Sequence, residues 1–241
     1  MSTLPTRLAG RESIAHGTLA FRFDKPAGFV FEPGQAIDLV LPSPPDAEPA
    51  SARHTFSLVS APFEPQLVVA TRMRDSSAYK RALAALPIGS ALAIDGPFGE
   101  LTLHTDRARA AVFIAGGIGV TPFMSLLRQA AHEHSAQRLW LLYSNRRPED
   151  AAFLAELQAL ERSHAPFRLT ATMTQMSVSK QAWSGRAGVI DAALIERCVA
   201  ELGRPVFYVV GPPAMVEAMH LTLADAGVAD DAIRSEAFYG Y

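Results

Sequence analysis

The sequence predicts two domains, an N-terminal antiparallel β-barrel followed by an open parallel α/β sheet. Two observations lead to this fold class. The chain has 241 residues, of which 49% are hydrophobic, so it is long enough to build two ordinary cores. Its rhythm also changes: short strand-like runs divided by glycine and proline fill the first part, whereas strand-like and helix-like segments alternate in the second. We place the domain boundary between residues 105 and 106.

The first domain, residues 1–105, contains short alternating or apolar runs that are typical of antiparallel strands. These runs are TLAFRF, AIDLVL, HTFSLV, QLVVATRM and SALAIDG. One helix interrupts them, because Ser77 is a suitable N-cap and the side chains of Tyr79, Leu83 and Leu86 recur at helical spacing. A barrel with one inserted helix is therefore expected.

The second domain, residues 106–241, alternates strands with helices, as a parallel α/β sheet does. Its first apolar run, AAVFIA, leads through a glycine-rich segment into a helix with Thr121 as N-cap and Pro122 in its first turn. Glycine lets an anion approach backbone N–H groups, and a helix N-terminus is positive. This segment predicts a nucleotide phosphate site; a plain glycine turn between a core strand and a core helix is the alternative. Its glycines are Gly116, Gly117 and Gly119.

The composition argues against several classes of protein. A formal net charge of −2 without a basic stripe does not favour nucleic acid or an anionic membrane as a partner. No stretch has the roughly 20 apolar residues of a membrane span, and the first residues lack the apolar stretch of a signal peptide, so a cytoplasmic protein is expected. The single cysteine, Cys198, excludes an internal disulfide and a cysteine-ligated iron–sulfur cluster. The seven histidines show no ligand spacing, so no metal site is expected.

The order of these features resembles the ferredoxin-NADP reductase superfamily. The similarity covers nearly the whole chain, and its local matches are HTFS, VATR with DSSAYK, GPFG, GGIGVTP, GPPAM and an acidic and aromatic C-terminal segment. The resemblance implies an FAD-binding β-barrel domain, an NAD(P)-binding α/β domain and no iron–sulfur domain. It further implies that hydride passes from NAD(P)H to FAD and that electrons then go to a separate acceptor such as ferredoxin, flavodoxin or another carrier.

In the barrel, HTFS resembles the family's RxYS flavin motif, in which an aromatic ring stacks on the isoalloxazine and a hydroxyl approaches flavin N5. The resemblance gives these roles to Phe56 and Ser57, which alternation in a strand places on opposite sides. His54 stands at the family's arginine position, and Arg53 is expected to face the other way. An ordinary core aromatic is the alternative for Phe56. The motif assigns His54, Thr55, Phe56 and Ser57 to the flavin.

The next match is a strand followed by a helix start. In the family, the strand backbone passes the flavin ring and ribityl chain, and the helix N–H groups face the diphosphate. A helix N-terminus attracts an anion, and Arg72 can add a charge-assisted contact to a phosphate oxygen. A solvated, capped surface helix is the alternative. The residues assigned here are Val69, Ala70, Thr71, Arg72, Ser76 and Ser77.

In the second domain, the resemblance places the NAD(P)H diphosphate at the glycine loop and the adenosine ribose after the next strand. Ser144 with Arg146 or Arg147 can bind a 2′-phosphate there, because a guanidinium presents a fork of donors that matches phosphate oxygens. NADPH is therefore favoured over NADH, with exposed loop arginines as the alternative. The diphosphate residues are Gly116, Gly117, Gly119, Thr121 and Pro122.

Two matches concern the nicotinamide and the flavin ring. Gly211, Pro212 and Met215 resemble the family's CGPxxM motif beside the nicotinamide, with Val210 at the cysteine position; a packed helix position is the alternative for Met215. The C-terminal segment resembles the family's tail at the flavin, where Glu236 would relay protons or orient the nicotinamide. Aromatic residues of a tail held in a hydrophobic groove are the alternative. The tail residues assigned are Glu236, Phe238 and Tyr241, and the catalytic residues are Ser57 and Glu236.

The sequence thus predicts a monomeric, FAD-dependent NAD(P)H oxidoreductase with an external electron acceptor. A reductase of free flavin or ferric chelates is an alternative, although a helix N-terminus at Ser77 argues for a flavin held as FAD. A nucleotide-binding regulatory or electron-transfer subunit is the alternative from another class. Family subunits of that kind commonly have a cysteine-ligated cluster, for which this chain lacks the cysteines.

Overall fold

A computed structural model describes residues 3–42 and 52–239 of the chain. Its first part consists of strands β1 (Leu4–Ala15), β2 (Thr18–Asp24), β3 (Ala36–Val40), β4 (Arg53–Ser57), β5 (Gln66–Arg72) and β6 (Ala91–Phe98), with helix α1 (Ala78–Ala85) between the last two. The strands pair antiparallel in the order β4-β3-β6-β1-β2-β5. A bridge between Leu58 and Val69 links the two ends of this order and closes the sheet into a barrel.

Alternation along the strands fills this barrel. Phe21 and Phe23 of β2 are fully buried, as are Ile37 and Leu39 of β3. The residue between the latter two, Asp38, is only half-buried and pairs with charged and polar side chains of the neighbouring strands. In β3 one face therefore builds the core while Asp38 on the other stays polar, which is the period-2 pattern of a half-buried strand.

The second part is an α/β sheet. Its elements are β7 (Ala111–Gly116), a 3₁₀ turn (Gly117–Val120), α2 (Thr121–His132), β8 (Leu139–Asn145), α3 (Leu154–Ser163), β9 (Phe167–Met173), β10 (Arg186–Ala187), α4 (Ala192–Leu202), β11 (Val206–Gly211), α5 (Pro213–Asp225) and β12 (Ile233–Ala237). All strands pair parallel in the order β10-β9-β8-β7-β11-β12. The central strands β7 and β11 are buried along their whole length, as expected where helices cover both faces. The predicted fold class is confirmed.

The chain divides into two compact units, Met1–Thr102 with Thr121–Gln129 and Leu103–Val120 with Ala130–Tyr241. Most of α2 groups with the barrel because the hydroxyl of Ser125 donates to the carbonyl of Ser60 at 2.7 Å, and because Arg128 pairs with Glu64 at 3.3 Å. Chain order alone does not predict this grouping. The domain boundary between residues 105 and 106 stays a prediction.

Some elements differ from the sequence prediction. The patterns do not predict β1, β10 or β12, because β1 contains Pro5 and Gly10, β10 has two residues, and β12 reads IRSEA, a half-polar edge strand. In the segment GPFG, which the resemblance gives as the turn that closes the barrel, the first three residues are instead the end of β6, where the pairing with β3 is irregular. The N-cap predicted at Thr121 is also wrong, because the 3₁₀ turn runs directly into α2 and Thr121 is the first residue of that helix.

Two features are absent from the part of the chain that the structure describes. No helix within residues 3–42 and 52–239 is both long enough and apolar enough to cross a membrane. In the same ranges, no group of three or more histidine, cysteine, aspartate or glutamate side chains is arranged to hold a metal ion.

Candidate functional site

The glycine loop lies at the carboxyl end of the central strand β7. A Cβ atom on Gly116 would lie 2.3 Å from the sulfur of Met215, and one on Gly119 would lie 2.4 Å from the carbonyl oxygen of Val210. Gly117 has φ of 53°, in the left-handed region where glycine is preferred. Only glycine permits this close packing against the end of β11. The loop therefore lies at the carboxyl edge of the sheet, where open α/β sheets bind ligands.

The β11–α5 segment packs directly against the glycine loop. A Cβ on Gly211 would lie 3.2 Å from the Cα and the nitrogen of Gly116, and also 3.2 Å from the Met215 sulfur. Pro212 directly precedes α5, and a Cβ on Gly116 would approach its Cδ at 3.0 Å. The structure thus brings together four residues that the sequence assigned to two separate motifs, namely Gly116, Gly211, Pro212 and Met215.

The end of β8 adjoins the glycine loop, since Ser144 pairs in register with Gly116. The two arginines that follow it differ. Arg147 forms a bidentate pair with Asp150, with nitrogen–oxygen distances of 2.7 and 2.8 Å, and lies 3.6 Å from Glu149. Arg146 is exposed, and its guanidinium has no partner among residues 3–42 and 52–239. Arg146 is therefore the arginine that is free to bind a ligand, a distinction that the sequence analysis did not make.

Asn145, the last residue of β8, was missed by the sequence analysis. It is 5% exposed, and neither the oxygen nor the nitrogen of its side-chain amide has a hydrogen-bond partner among the described residues. Buried amides nearly always have partners, so this one is chemically incomplete. A ligand with donors and acceptors at the carboxyl edge fits it. The signal in the sequence was an asparagine directly after the apolar run LWLLYS.

The predicted C-terminal tail begins as a strand rather than as a free end. Ser235, Glu236 and Ala237 belong to β12, where Glu236 pairs in register with Val210. The N–H of Phe238 donates to the carbonyl of Gly211 at 2.9 Å. Glu236 and Phe238 therefore lie beside the carboxyl end of β11. Tyr241 lies outside the described residues.

Burial raises the pKa of Glu236 above the ordinary value of 4.5. The folded state thus holds this proton more tightly than the unfolded state, so the stability it contributes is full below pH 4.5 and is lost as the pH rises through the folded pKa. Glu236→Gln stays neutral. We expect its unfolding temperature to match that of the wild type near pH 4 and to exceed it at pH 8.

Thermal unfolding from pH 4 to pH 8 measures this difference. Glu217→Gln, at an exposed position of α5, is the control and should follow the wild type throughout. A constant offset between Glu236→Gln and the wild type across the range would contradict the prediction.

In the barrel, the HTFS segment forms the end of β4. Phe56 and Ser57 are both 6% exposed, and Phe56 belongs to the hydrophobic core. The rings of His54 and Tyr79 pack against each other and against Phe56, with centroid distances between 4.8 and 6.1 Å. The hydroxyl of Ser57 has no hydrogen-bond partner among the described residues. It is therefore available to a ligand, while stacking of Phe56 on a flavin stays a prediction.

The other face of β4 is occupied by an ionic network. One guanidinium nitrogen of Arg53 lies 3.1 Å from Asp38 and 2.8 Å from Asp95, and the hydroxyl of Thr55 donates to Asp38. Arg53 faces away from His54 and Phe56, as alternation predicts. Two carboxylates already neutralise its charge. Arg53 and the Thr55 hydroxyl are thus engaged with carboxylates, on the side of β4 opposite His54 and Phe56.

The segment from β5 to α1 forms a capped helix start. Val69, Ala70 and Thr71 are buried, and the hydroxyl of Ser77 accepts from the N–H of Lys80 at 3.2 Å. The N-cap predicted at Ser77 is confirmed. No acidic residue lies in the first turn, so the positive end of the helix dipole is not compensated there. This is a suitable position for an anionic group.

Known proteins share this architecture. Residues 113–220 match the family model described as the oxidoreductase NAD-binding domain. Ferredoxin–NADP reductase B of Sorangium cellulosum is 33% identical over 197 residues, which are 81% of this chain and 76% of that protein. The chain belongs to the ferredoxin-NADP reductase superfamily. Members of this superfamily can be much longer: the reductase component of propane 2-monooxygenase from Rhodococcus jostii is 27% identical over 97% of this chain, but the match covers 63% of that protein.

A solved structure supports the same fold. The ferredoxin NADP⁺ reductase of Neisseria gonorrhoeae with bound FAD and NADP has a TM-score of 0.81 and 22% sequence identity, and the match covers 98% of both chains. At this identity the similarity establishes the fold of the superfamily members alone. The functional assignment therefore depends on the relatives and on the residues described above.

Proposed function

We propose that this chain is an FAD-dependent NAD(P)H oxidoreductase that passes electrons to a separate acceptor. The observation that supports it most is the arrangement at the carboxyl edge of β7, β8 and β11, where the glycine loop, the incomplete Asn145 amide and an Arg146 guanidinium without a partner among the described residues lie at adjacent strand ends. Its donor set fits a dinucleotide: backbone N–H groups for the diphosphate and a guanidinium for a 2′-phosphate.

The chain's residues have separate roles in this proposal. Bound FAD supplies the acceptor for a hydride and can release electrons one at a time. The Ser57 hydroxyl donates a hydrogen bond at the flavin edge, and the α1 N-terminus at Ser77 holds the diphosphate. Gly116, Gly117 and Gly119 hold the nucleotide, and Glu236 orients the nicotinamide or holds a proton near it. The protein fixes positions, and the cofactors perform the redox chemistry.

The acceptor is proposed to be a separate one-electron carrier such as a ferredoxin or a flavodoxin. Two observations support this. The relatives are named as a ferredoxin–NADP reductase and as a monooxygenase reductase component. In addition, this chain has one cysteine, and the cysteine-ligated clusters of ferredoxins need four thiolates.

Anaerobic reduction tests the proposal. The purified chain is incubated with FAD, desalted and mixed with NADPH or NADH while the flavin absorbance is followed. We expect FAD to stay bound and to be bleached, faster by NADPH than by NADH. Ferredoxin, flavodoxin, free flavin and a ferric chelate are then compared as acceptors. A protein that retains no FAD would refute the flavoenzyme and leave the regulatory subunit, whereas preferential reduction of free flavin or ferric chelate would favour the alternative reductases.

A further inference from the structure

A buried lysine lies at the start of α1. Lys80 is 7% exposed and occurs three residues before the buried Leu83, on the face of the helix that packs against the barrel. Its ammonium nitrogen donates to the carbonyl of Arg72 at 3.1 Å. An ammonium has three donors, and no carboxylate among residues 3–42 and 52–239 pairs with this one. Buried charges are normally paired, so this arrangement is incomplete.

The surroundings of Lys80 are already positive. It occupies the first turn of α1, where the helix dipole disfavours a cation, and its own N–H is held by the Ser77 cap. Burial lowers the pKa of Lys80, and the charge of Arg74 lowers it further. A buried ammonium, a helix N-terminus and a neighbouring guanidinium thus act together. An anion at this position would relieve all three.

Strand β4 offers no such cation. Burial lowers the pKa of His54, and the nearby charge of Lys80 lowers it further, so both disfavour a positively charged imidazole there. Arg53 faces Asp38 and Asp95 on the opposite side. Tyr79 links α1 to both β3 and β4: its hydroxyl donates to the carbonyl of Leu39 on β3, and its ring packs against that of His54 on β4. The buried cation whose charge acts on His54 is therefore Lys80, on α1.

We propose that Lys80 is the cation that binds the FAD diphosphate in this chain, in place of a cation on strand β4. The inference depends on the proposed binding of FAD to the barrel. It makes Lys80 a binding residue rather than part of the barrel core. Two properties distinguish these roles. One is whether removing the charge weakens binding of FAD but not of riboflavin, and the other is the stability of the protein without cofactor.

Lys80→Met is the main test, because it removes the charge and keeps the length of the side chain. We expect the dissociation constant for FAD, measured by flavin fluorescence, to rise roughly 10- to 100-fold, as for loss of a charge-assisted hydrogen bond. Affinity for riboflavin, which lacks phosphates, should stay unchanged. The variant without FAD should unfold at the same or a higher temperature than the wild type, because a buried unpaired charge has been removed.

Lys25→Met is the matched control. Lys25 also donates to a backbone carbonyl of the barrel, that of Pro62, and lies over the ring of Phe31. Its loss should leave FAD affinity unchanged. Lys80→Arg keeps the charge and should retain most of the FAD affinity, which also covers the case in which Lys80→Met does not fold.

The possible results are distinct. Equal FAD affinity of Lys80→Met and the wild type would overturn the proposed role of Lys80 but not the proposed function. A parallel loss of FAD and riboflavin affinity, together with a lower unfolding temperature, would show a purely structural lysine. If the wild type binds riboflavin but gains no affinity from the phosphates of FAD, the inference also fails. A wild type that binds neither flavin would refute the proposed function itself.

Discussion

Gly119→Ala is expected to bind NADPH at least about tenfold more weakly while keeping its FAD. The added Cβ would lie 2.4 Å from the carbonyl oxygen of Val210, 2.7 Å from its carbonyl carbon and 3.0 Å from the Cα of Gly211. All three are backbone atoms, so no side chain can move aside. The loop must shift, at a cost of about 1–3 kcal/mol for overpacking, and its N–H groups shift with it. The proposed FAD residues of the barrel, such as Ser57, Ser77 and Lys80, belong to the other compact unit.

Titration with NADPH measures the loss of nucleotide affinity, and thermal unfolding of the FAD-loaded protein measures the cost of shifting the loop. Gly10→Ala is the control for the exchange itself, since a Cβ there would meet no atom within 4 Å. An unchanged NADPH affinity in Gly119→Ala would show that the loop does not bind the nucleotide through its backbone.

Gly116 permits a sharper comparison. Its added Cβ would meet the Met215 sulfur at 2.3 Å, which is a side-chain atom. We therefore expect the double variant with Met215→Ala to recover part of the NADPH affinity that Gly116→Ala loses. The contact to Pro212 at 3.0 Å should limit the recovery. Gly119→Ala should not respond to Met215→Ala. Equal recovery of both glycine variants would contradict the geometry of the loop.

The sequence predicts the parts of this fold whose signals are local. Strands such as β2 and β3 alternate buried and less buried residues, the central strand β7 is a continuous apolar run, and the serine before α1 is a standard cap. β12 has no such signal. It reads IRSEA, and it becomes a strand because β11 offers it a parallel edge, which only the folded sheet supplies.

Parts of the candidate site depend equally on tertiary structure. The HTFS and glycine motifs are visible in the sequence. That Lys80 has no carboxylate partner and that the Asn145 amide is incomplete depend on which of the described groups do not approach them. The pairing of Arg147 with Asp150 has a visible i,i+3 spacing. It forms because the short 3₁₀ turn Pro148–Asp150 presents the carboxylate, and motif matching treats both arginines alike.

Arg146→Ala is expected to reduce the preference for NADPH over NADH. If the guanidinium binds the 2′-phosphate, its loss should lower kcat/KM for NADPH about 10- to 100-fold, as for loss of a charge-assisted hydrogen bond, and leave kcat/KM for NADH unchanged. Arg147→Ala is the matched control at the next position. It removes the partner of Asp150, whose side chain is 3% exposed, so it should lower the unfolding temperature without changing the preference.

The ratio of the two kcat/KM values is the decisive measurement. Incomplete folding or partial loss of FAD lowers both values by the same factor, and this factor cancels in the ratio. Steady-state reduction of ferricyanide with each nucleotide supplies it. If Arg146→Ala lowers kcat/KM equally for NADPH and NADH, Arg146 does not bind the 2′-phosphate. A change of preference in Arg147→Ala alone would mean that the ligand displaces Asp150 from Arg147. Only a change confined to Arg146→Ala agrees with a guanidinium that is free before the nucleotide binds.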